Sequence, residues 1–152
     1  MADTAFKVLA ADHTGFCVTS LEGALPFWTD VLGFELLRRG EIGAGEFLGQ
    51  VANIPDHGLR FALLAGFGHQ IELCEYFGAP RETVPVGIEA VGAVHLCLLV
   101  DDLDATIAAV AAHGYLPAGE PQILSAGPRI GTRVVFVSNA DNIHLELMQP
   151  PR

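Results

Sequence analysis

The first half of the chain has the same order of features as the second half. A strand-like segment begins near His13 and leads into a helix with one apolar face, and the same pattern begins again at His95. Later in each copy, HQIELCEY has the counterpart IHLELMQP, so Glu72 corresponds to Glu146. Each copy reads as a strand, a helix and a few further strands. The duplication therefore predicts an α+β fold built from two βαβββ modules in tandem.

Capping and stop signals place the helix of each copy. One residue of the pair Thr19–Ser20 is predicted to cap the first helix, and one residue of Asp101–Asp102 the second. Gly33 and Gly114 are suited to end these helices, because glycine readily adopts the left-handed conformation found there. Pro26 lies inside the first helix, so we expect a bend or a delayed start at that point.

The domain organisation follows from the length and from the spacing of the two copies. A chain of 152 residues fits a single domain. The first module is predicted at about residues 10–77 and the second at about 93–149. The segment 78–92 contains prolines and glycines and is interpreted as the linker between them. Within the first module, residues 43–55 are a candidate lid with room for one short helix.

Composition and charge exclude several classes of partner. The chain carries 18 acidic and 8 basic residues, a net charge of −10, which disfavours nucleic acid and anionic membranes. The N-terminal sequence has no signal-peptide pattern. The three cysteines are an odd number and are predicted to be buried, which argues against a disulfide framework. Both observations favour the cytoplasm. The 51% hydrophobic content leaves apolar surface for a subunit interface, so we expect a homodimer.

Four residues are candidate metal ligands: His13, Glu72, His95 and Glu146. A lone histidine or glutamate in a strand is usually a core or surface residue, but recurrence at the same place in both copies favours a shared purpose. A buried carboxylate is costly unless a cation or a hydrogen-bond donor compensates it. Two imidazoles and two carboxylates suit one divalent ion, such as Zn, Ni, Co, Mn or Fe(II).

Four segments carry a resemblance to a known superfamily: DHTGFCVTSLEGALPFWTDVLGFEL, GHQIELCEY, AVHLCLLVDDLDATIAAVAAHGY and NADNIHLELMQP. They resemble the vicinal oxygen chelate superfamily, which includes glyoxalase I, bleomycin resistance proteins and extradiol dioxygenases. The resemblance implies a cupped mixed β-sheet around one metal ion, held by His13, Glu72, His95 and Glu146. This ligand set is most similar to that of bacterial glyoxalase I.

The resemblance implies a metal-dependent lyase, isomerase or epimerase that acts on a small-molecule substrate. A proton beside a carbonyl would be transferred through an enolate or enediolate on the metal, with Glu72 and Glu146 as the catalytic groups. One alternative is an iron(II) ring-cleaving dioxygenase of the extradiol type, although a second carboxylate ligand takes a position that oxygen needs. The other alternative is a non-catalytic small-molecule binder or drug-resistance protein.

Three further residues are candidates for substrate binding. Arg60 and Arg133 occupy equivalent places in the repeat, and each can bind a carboxylate or phosphate or pair with the many acids of this chain. His144 stands two residues before Glu146, so strand alternation places both side chains on the same face. It is a candidate acid–base or substrate-binding group there, and the alternative is a histidine at the rim of the cup.

Overall fold

The structure, a computed structural model, describes residues 5–152. It divides into two compact units, one ending at Pro80 and the other spanning Arg81–Arg152. The helices and strands of the first unit are β1 (Thr14–Cys17), α1 (Leu21–Pro26), β2 (Glu35–Ile42), α2 (Glu46–Ala52), β3 (Gly58–Gly66) and β4 (His69–Phe77). Those of the second are β5 (His95–Leu99), α3 (Leu103–Ala111), β6 (Leu116–Pro117), β7 (Gln122–Ile123), β8 (Arg133–Ser138) and β9 (His144–Gln149).

The first unit is a four-stranded mixed sheet with the order β1-β4-β3-β2. Strand β1 runs parallel to β4, and the other neighbours are antiparallel. Ile71 and Leu73 of β4 are fully buried, as are Leu21 and Trp28 on the other side of the core. Because side chains alternate along a strand, Glu72 lies on the opposite face of the sheet from this core.

Helix α1 begins and ends at residues that the sequence marks. Ser20 caps it, its hydroxyl accepting a hydrogen bond from the Gly23 N–H at 3.2 Å. Pro26 has no N–H to continue the α-helical pattern, and the chain continues as a π-helical turn over Phe27–Val31. The expected bend therefore takes the form of a π turn. Gly33 follows with a φ of 80°, the left-handed conformation expected at the end of a helix.

The second unit repeats this plan with one difference. Its sheet has the order β5-β9-β8-β6, and β7 also pairs with β8. Strands β6 and β7 pair with opposite ends of β8, along the edge that β9 leaves free. They form an edge strand interrupted around Gly119, at the place that the continuous β2 holds in the first unit. The α+β fold of two tandem modules is confirmed, and the second module has its edge strand split.

Helix α3 begins, as expected, at an aspartate. Asp102 caps it by accepting a hydrogen bond from the Ala105 N–H at 3.0 Å. With nine residues it is the longest α-helix in residues 5–152, and no helix in that range is long and apolar enough to cross a membrane. Between Phe77 and His95 there is no helix or strand, and the boundary between the units falls within this segment. The folding of the whole chain as a single domain stays a prediction.

Candidate metal centre

In the first unit, the parallel ladder between β1 and β4 brings His13 to Glu72. Gly15 is the ladder partner of Glu72, and His13 lies two residues before Gly15, on the same face of the sheet. The His13 Nε2 atom is 3.5 Å from the Glu72 Oε2 atom. A carboxylate and an imidazole from different strands therefore point to one place above the sheet, on the face opposite the core.

In the second unit, the ladder between β5 and β9 produces the same arrangement. Cys97 is the ladder partner of Glu146, and His95 lies two residues before Cys97. The His95 Nε2 atom is 3.4 Å from the Glu146 Oε2 atom. The relative register of histidine and glutamate is identical in the two units, as the sequence repeat predicts.

The two glutamates are shielded from solvent, and each has a histidine rather than an arginine or lysine as its partner. The Glu72 side chain is 20% exposed and that of Glu146 15%, and the ion pairs described in residues 5–152 join neither to a lysine or arginine. Glu75 is buried to a similar degree, at 16% exposure, but it forms an ion pair with Arg60 at 2.9 Å. A shielded carboxylate is costly unless a cation or a hydrogen-bond donor compensates its charge. Together with a histidine nitrogen beside each carboxylate, this environment fits a divalent metal ion.

The histidines of the two pairs are held differently. Asp12 Oδ2 lies 2.8 Å from His13 Nδ1, so the carboxylate orients the ring and directs Nε2 toward Glu72. The His95 ring instead meets the Phe136 ring edge-on, with 5.1 Å between the ring centroids. One histidine is thus held by an anion and the other by an aromatic ring.

The described residues, 5–152, contain no group of three or more His, Cys, Asp or Glu side chains arranged to hold a metal. Each histidine–glutamate pair supplies two possible metal-binding atoms within its own unit. Binding of a single ion by all four residues therefore stays a prediction.

Cysteine thiols lie beside both glutamates. Cys74 donates a hydrogen bond to Glu72 Oε2 at 3.5 Å, and burial, with the nearby Glu72 charge, raises the pKa of this thiol to about 12. Burial and the charge of Glu146 likewise raise the pKa of Cys97. The expectation that all three cysteines are buried was wrong for Cys17 and Cys97, which are exposed. Their strands are apolar, but these side chains lie on the face of each sheet opposite the one that α1 or α3 covers.

His144 lies on the same face as Glu146, as strand alternation predicts. Its Nδ1 atom is 2.7 Å from the Ser138 hydroxyl oxygen, and its side chain is almost fully buried. The Nε2 atom is buried without a hydrogen-bond partner among the described residues. His95 is its ladder partner, so this nitrogen belongs to the surroundings of the candidate ligands. A role in substrate binding stays a prediction.

The two predicted substrate-binding arginines lie on the opposite, helix-covered face. Arg60 is the ladder partner of Glu75 and pairs with both Glu75 and Glu41 at 2.9 Å. Arg133 makes two hydrogen bonds to Asp104, at 2.9 and 2.8 Å. Both arginines pair with carboxylates on the same face of their sheets, as expected for equivalent positions in the repeat. These contacts do not favour substrate binding, which stays a prediction.

Two other arginines, which the sequence pattern did not single out, lie on the glutamate-bearing faces. Arg38 on β2 stacks over Phe61, with 5.3 Å from its guanidinium carbon to the ring centroid. Arg129 precedes β8 and donates a hydrogen bond to the Met148 sulfur at 3.1 Å. The second contact joins residues far apart in sequence, so no local sequence pattern predicts it.

The short helix expected in the candidate lid is present as α2. Closure of this segment over a substrate stays a prediction.

Comparison with known proteins identifies the family. The Glyoxalase/Bleomycin resistance protein/Dioxygenase superfamily model matches residues 10–147, nearly the whole chain and both units. The chain belongs to this superfamily. The resemblance to vicinal oxygen chelate proteins is thereby confirmed.

Two curated relatives are enzymes by name. A 2-epi-5-epi-valiolone epimerase from an Actinomyces species is 30% identical over 149 residues, covering 94% of this chain and 80% of the relative. A "Probable lactoylglutathione lyase" from Synechocystis is 28% identical over 142 residues, covering 90% and 92%. The two names belong to different reaction types, so family membership alone does not select one.

Solved structures share the fold. A glyoxalase family protein from Bacillus cereus superposes with a TM-score of 0.80 at 24% identity, covering 99% of this chain and all of the other. The fosfomycin resistance protein FosX from Listeria monocytogenes, solved with Mn(II) and sulfate, gives a TM-score of 0.58 at 15% identity and covers 95% of each chain. A member of the superfamily therefore binds a divalent metal in this fold.

Proposed function

We propose that the protein is a metal-dependent lyase, isomerase or epimerase that transfers a proton next to a carbonyl group of a small-molecule substrate. The observation that carries this proposal is the repeated pair: a histidine nitrogen and a shielded glutamate oxygen, 3.5 Å apart in one unit and 3.4 Å in the other. Such a duplication supplies two neutral and two anionic donors, which suits a divalent ion that still has positions for substrate.

The proposed ligands are His13, Glu72, His95 and Glu146. A bound divalent ion supplies a Lewis acid that polarises the substrate carbonyl and makes the neighbouring proton more acidic. Epimerase and lyase relatives support this class of reaction, and the Mn(II) of the Listeria protein supports the divalent ion.

The proton is handled by the carboxylates. In this proposal one of Glu72 and Glu146 removes the proton and the other returns it, as general base and general acid. Both carboxylates are shielded but not fully buried, so a substrate can reach them. The Cys74 thiol stays protonated at neutral pH because its pKa is raised, and it donates to Glu72 rather than competing as a second anion.

The experiment is a solvent-exchange assay on protein reconstituted with single metals. We expect wild-type protein with Zn, Ni, Co or Mn to incorporate deuterium from heavy water next to the carbonyl in a panel of 2-oxo and 2-hydroxy compounds, equally well with and without oxygen. Strict dependence on oxygen, with iron(II) alone restoring activity, would overturn the proposal in favour of a dioxygenase. Tight binding without exchange or turnover would indicate a binding protein.

A further inference from the structure

Arg129 lies in a structured loop of the second unit. The loop Leu124–Thr132 connects β7 to β8 and closes on itself through hydrogen bonds, among them Gly131 N–H to the Leu124 carbonyl at 2.8 Å. Gly127 and Gly131 both have positive φ, 81° and 85°, which allows the tight turns. The backbone on both sides of Arg129 is therefore fixed, although its side chain is exposed.

The guanidinium group lies on the face that carries Glu146. Its Nη1 atom donates to the Met148 sulfur at 3.1 Å, and Met148 is two residues after Glu146 on the same face of β9. Arg129 thus contacts a residue that is two positions from a proposed metal ligand and on the same face of the strand.

This arginine is not neutralised in the way that others are. Arg39, Arg60 and Arg133 each form an ion pair with a carboxylate. None of the ion pairs described in residues 5–152 includes Arg129, although the chain has 18 acidic residues. Sulfur is a weak hydrogen-bond acceptor, and a guanidinium has five N–H donors. Arg129 therefore keeps donors for a further acceptor.

We propose that Arg129 binds an anionic group of the substrate, a carboxylate or a phosphate, beside the metal centre. The inference rests on the proposed function and extends it to the class of substrate. A guanidinium binds planar carboxylates and phosphates through paired hydrogen bonds. On a chain with net charge −10, which repels anions, a cation on the face of β9 that carries Glu146 gives an anionic substrate a defined place and orientation.

The test uses three chelators that bind metals through two adjacent oxygens. Acetohydroxamate has no charged arm, malonate monohydroxamate has a carboxylate arm, and phosphonoacetohydroxamate has a phosphonate arm. Their dissociation constants are measured by calorimetry on zinc-loaded wild-type protein and on Arg129→Gln, Arg129→Lys and Arg39→Gln. Arg39→Gln is the matched control, because it removes an arginine that pairs with Glu22 on the other face of the first sheet.

We expect at least one armed chelator to bind wild-type protein about tenfold more tightly than acetohydroxamate, because of a charge-assisted hydrogen bond. The preferred arm identifies the anion. Arg129→Gln should abolish this preference while leaving acetohydroxamate binding unchanged, Arg129→Lys should keep part of it, and Arg39→Gln should keep all of it.

The outcomes distinguish a failure of the proposed function from a failure of the role of Arg129. If acetohydroxamate does not bind the metal-loaded protein, the proposed function is wrong and the inference falls with it. If acetohydroxamate binds but the armed chelators gain nothing, or gain equally in Arg129→Gln, the proposed function stands and the role of Arg129 is wrong.

Discussion

The His13–Glu72 pair and the His95–Glu146 pair are built on the same frame and set in different surroundings. In each unit a parallel ladder places the histidine next to the glutamate, with 3.5 and 3.4 Å between nitrogen and oxygen. The Nδ1 atom of His13 is held by the Asp12 carboxylate. The parallel ladder therefore determines which histidine meets which glutamate, and the side chains around each pair differ between the units.

The second difference concerns charge near the glutamates. Glu72 accepts a hydrogen bond from Cys74, and the described ion pairs place no arginine or lysine with it. Glu146 has Cys97 as its ladder partner, and Arg129 of the adjoining loop donates a hydrogen bond to Met148 on the same face of β9. The two halves therefore match in their proposed ligands and differ in their electrostatics. The glutamate-bearing face of each unit also carries an arginine, but Arg38 stacks over Phe61, whereas Arg129 contacts Met148, two residues from Glu146. We propose that the first unit supports its histidine with an anion and that the second supplies the cation for the substrate.

Replacing either proposed catalytic glutamate should have the largest effect. Glu72→Gln and Glu146→Gln each remove a general acid–base group, so we expect turnover to fall by about 10²- to 10⁴-fold while the fold is retained. Steady-state kinetics at saturating metal measure this, with Glu120→Gln, an exposed glutamate, as control. Wild-type turnover in one of the two variants would show that only one glutamate takes part and that the two halves are not catalytically equivalent.

The support of His13 by Asp12 should have a smaller effect. Asp12→Ala removes the carboxylate that orients the imidazole, and we expect metal affinity to fall about tenfold, as for other groups that orient a metal ligand. Val94 holds the corresponding position before His95, so Val94→Ala serves as the matched control and should leave affinity unchanged. Competitive titration with a metal indicator measures both. Unchanged affinity in Asp12→Ala would remove the distinction between the two histidines.

The smallest effect concerns the ion pairs of the helix-covered faces. The hydrogen bonds from Arg133 hold the pKa of Asp104 below its ordinary value, so the unfolded chain binds more protons than the folded chain at acid pH. The stability contributed by this pair is therefore present at neutral pH and is lost as the pH falls below about 4.

Thermal melts of wild-type protein and Asp104→Asn measure this contribution. The difference in melting temperature should be small at pH 7 and should shrink steadily below about pH 4. A difference that grows toward acid pH would contradict the assignment. Glu22, at the corresponding position of α1, pairs with Arg39, so Glu22→Gln tests whether the two units depend on pH in the same way.

The proximity of each histidine to its glutamate could be predicted from the sequence, because strand alternation and the internal repeat are both regular. Strand alternation and the matching order of features in the two copies relate each glutamate to its histidine, and the parallel ladders bring the two residues together with the same register in both units. The capping residues Ser20 and Asp102 were equally predictable, because a cap depends on its immediate neighbours.

Features that depend on contacts distant in sequence were not predictable. The hydrogen bond from Arg129 to Met148 spans 19 residues and depends on how the Leu124–Thr132 loop folds back. The exposure of Cys17 and Cys97 depends on which face of each sheet the helix covers, whereas their apolar strands suggested burial. Pro26 predicted a bend or a delayed start of the first helix, but not the form it takes. The chain continues as a π turn in which Phe27 and Trp28 are buried in the core, and this packing is not evident from the local sequence.

The central claim is that the two pairs together hold one divalent ion. Metal content per chain, measured by elemental analysis after dialysis against limiting free zinc, tests it directly on wild-type protein, His13→Ala, His95→Ala and the double variant. We predict one ion per chain in wild-type protein, a large loss in each single variant at limiting free zinc, and almost complete loss in the double variant, because all four donors share one ion and each substitution removes one of them. Two ions per chain, or retention of half the metal when one histidine is removed, would show that each pair binds separately and would contradict the account.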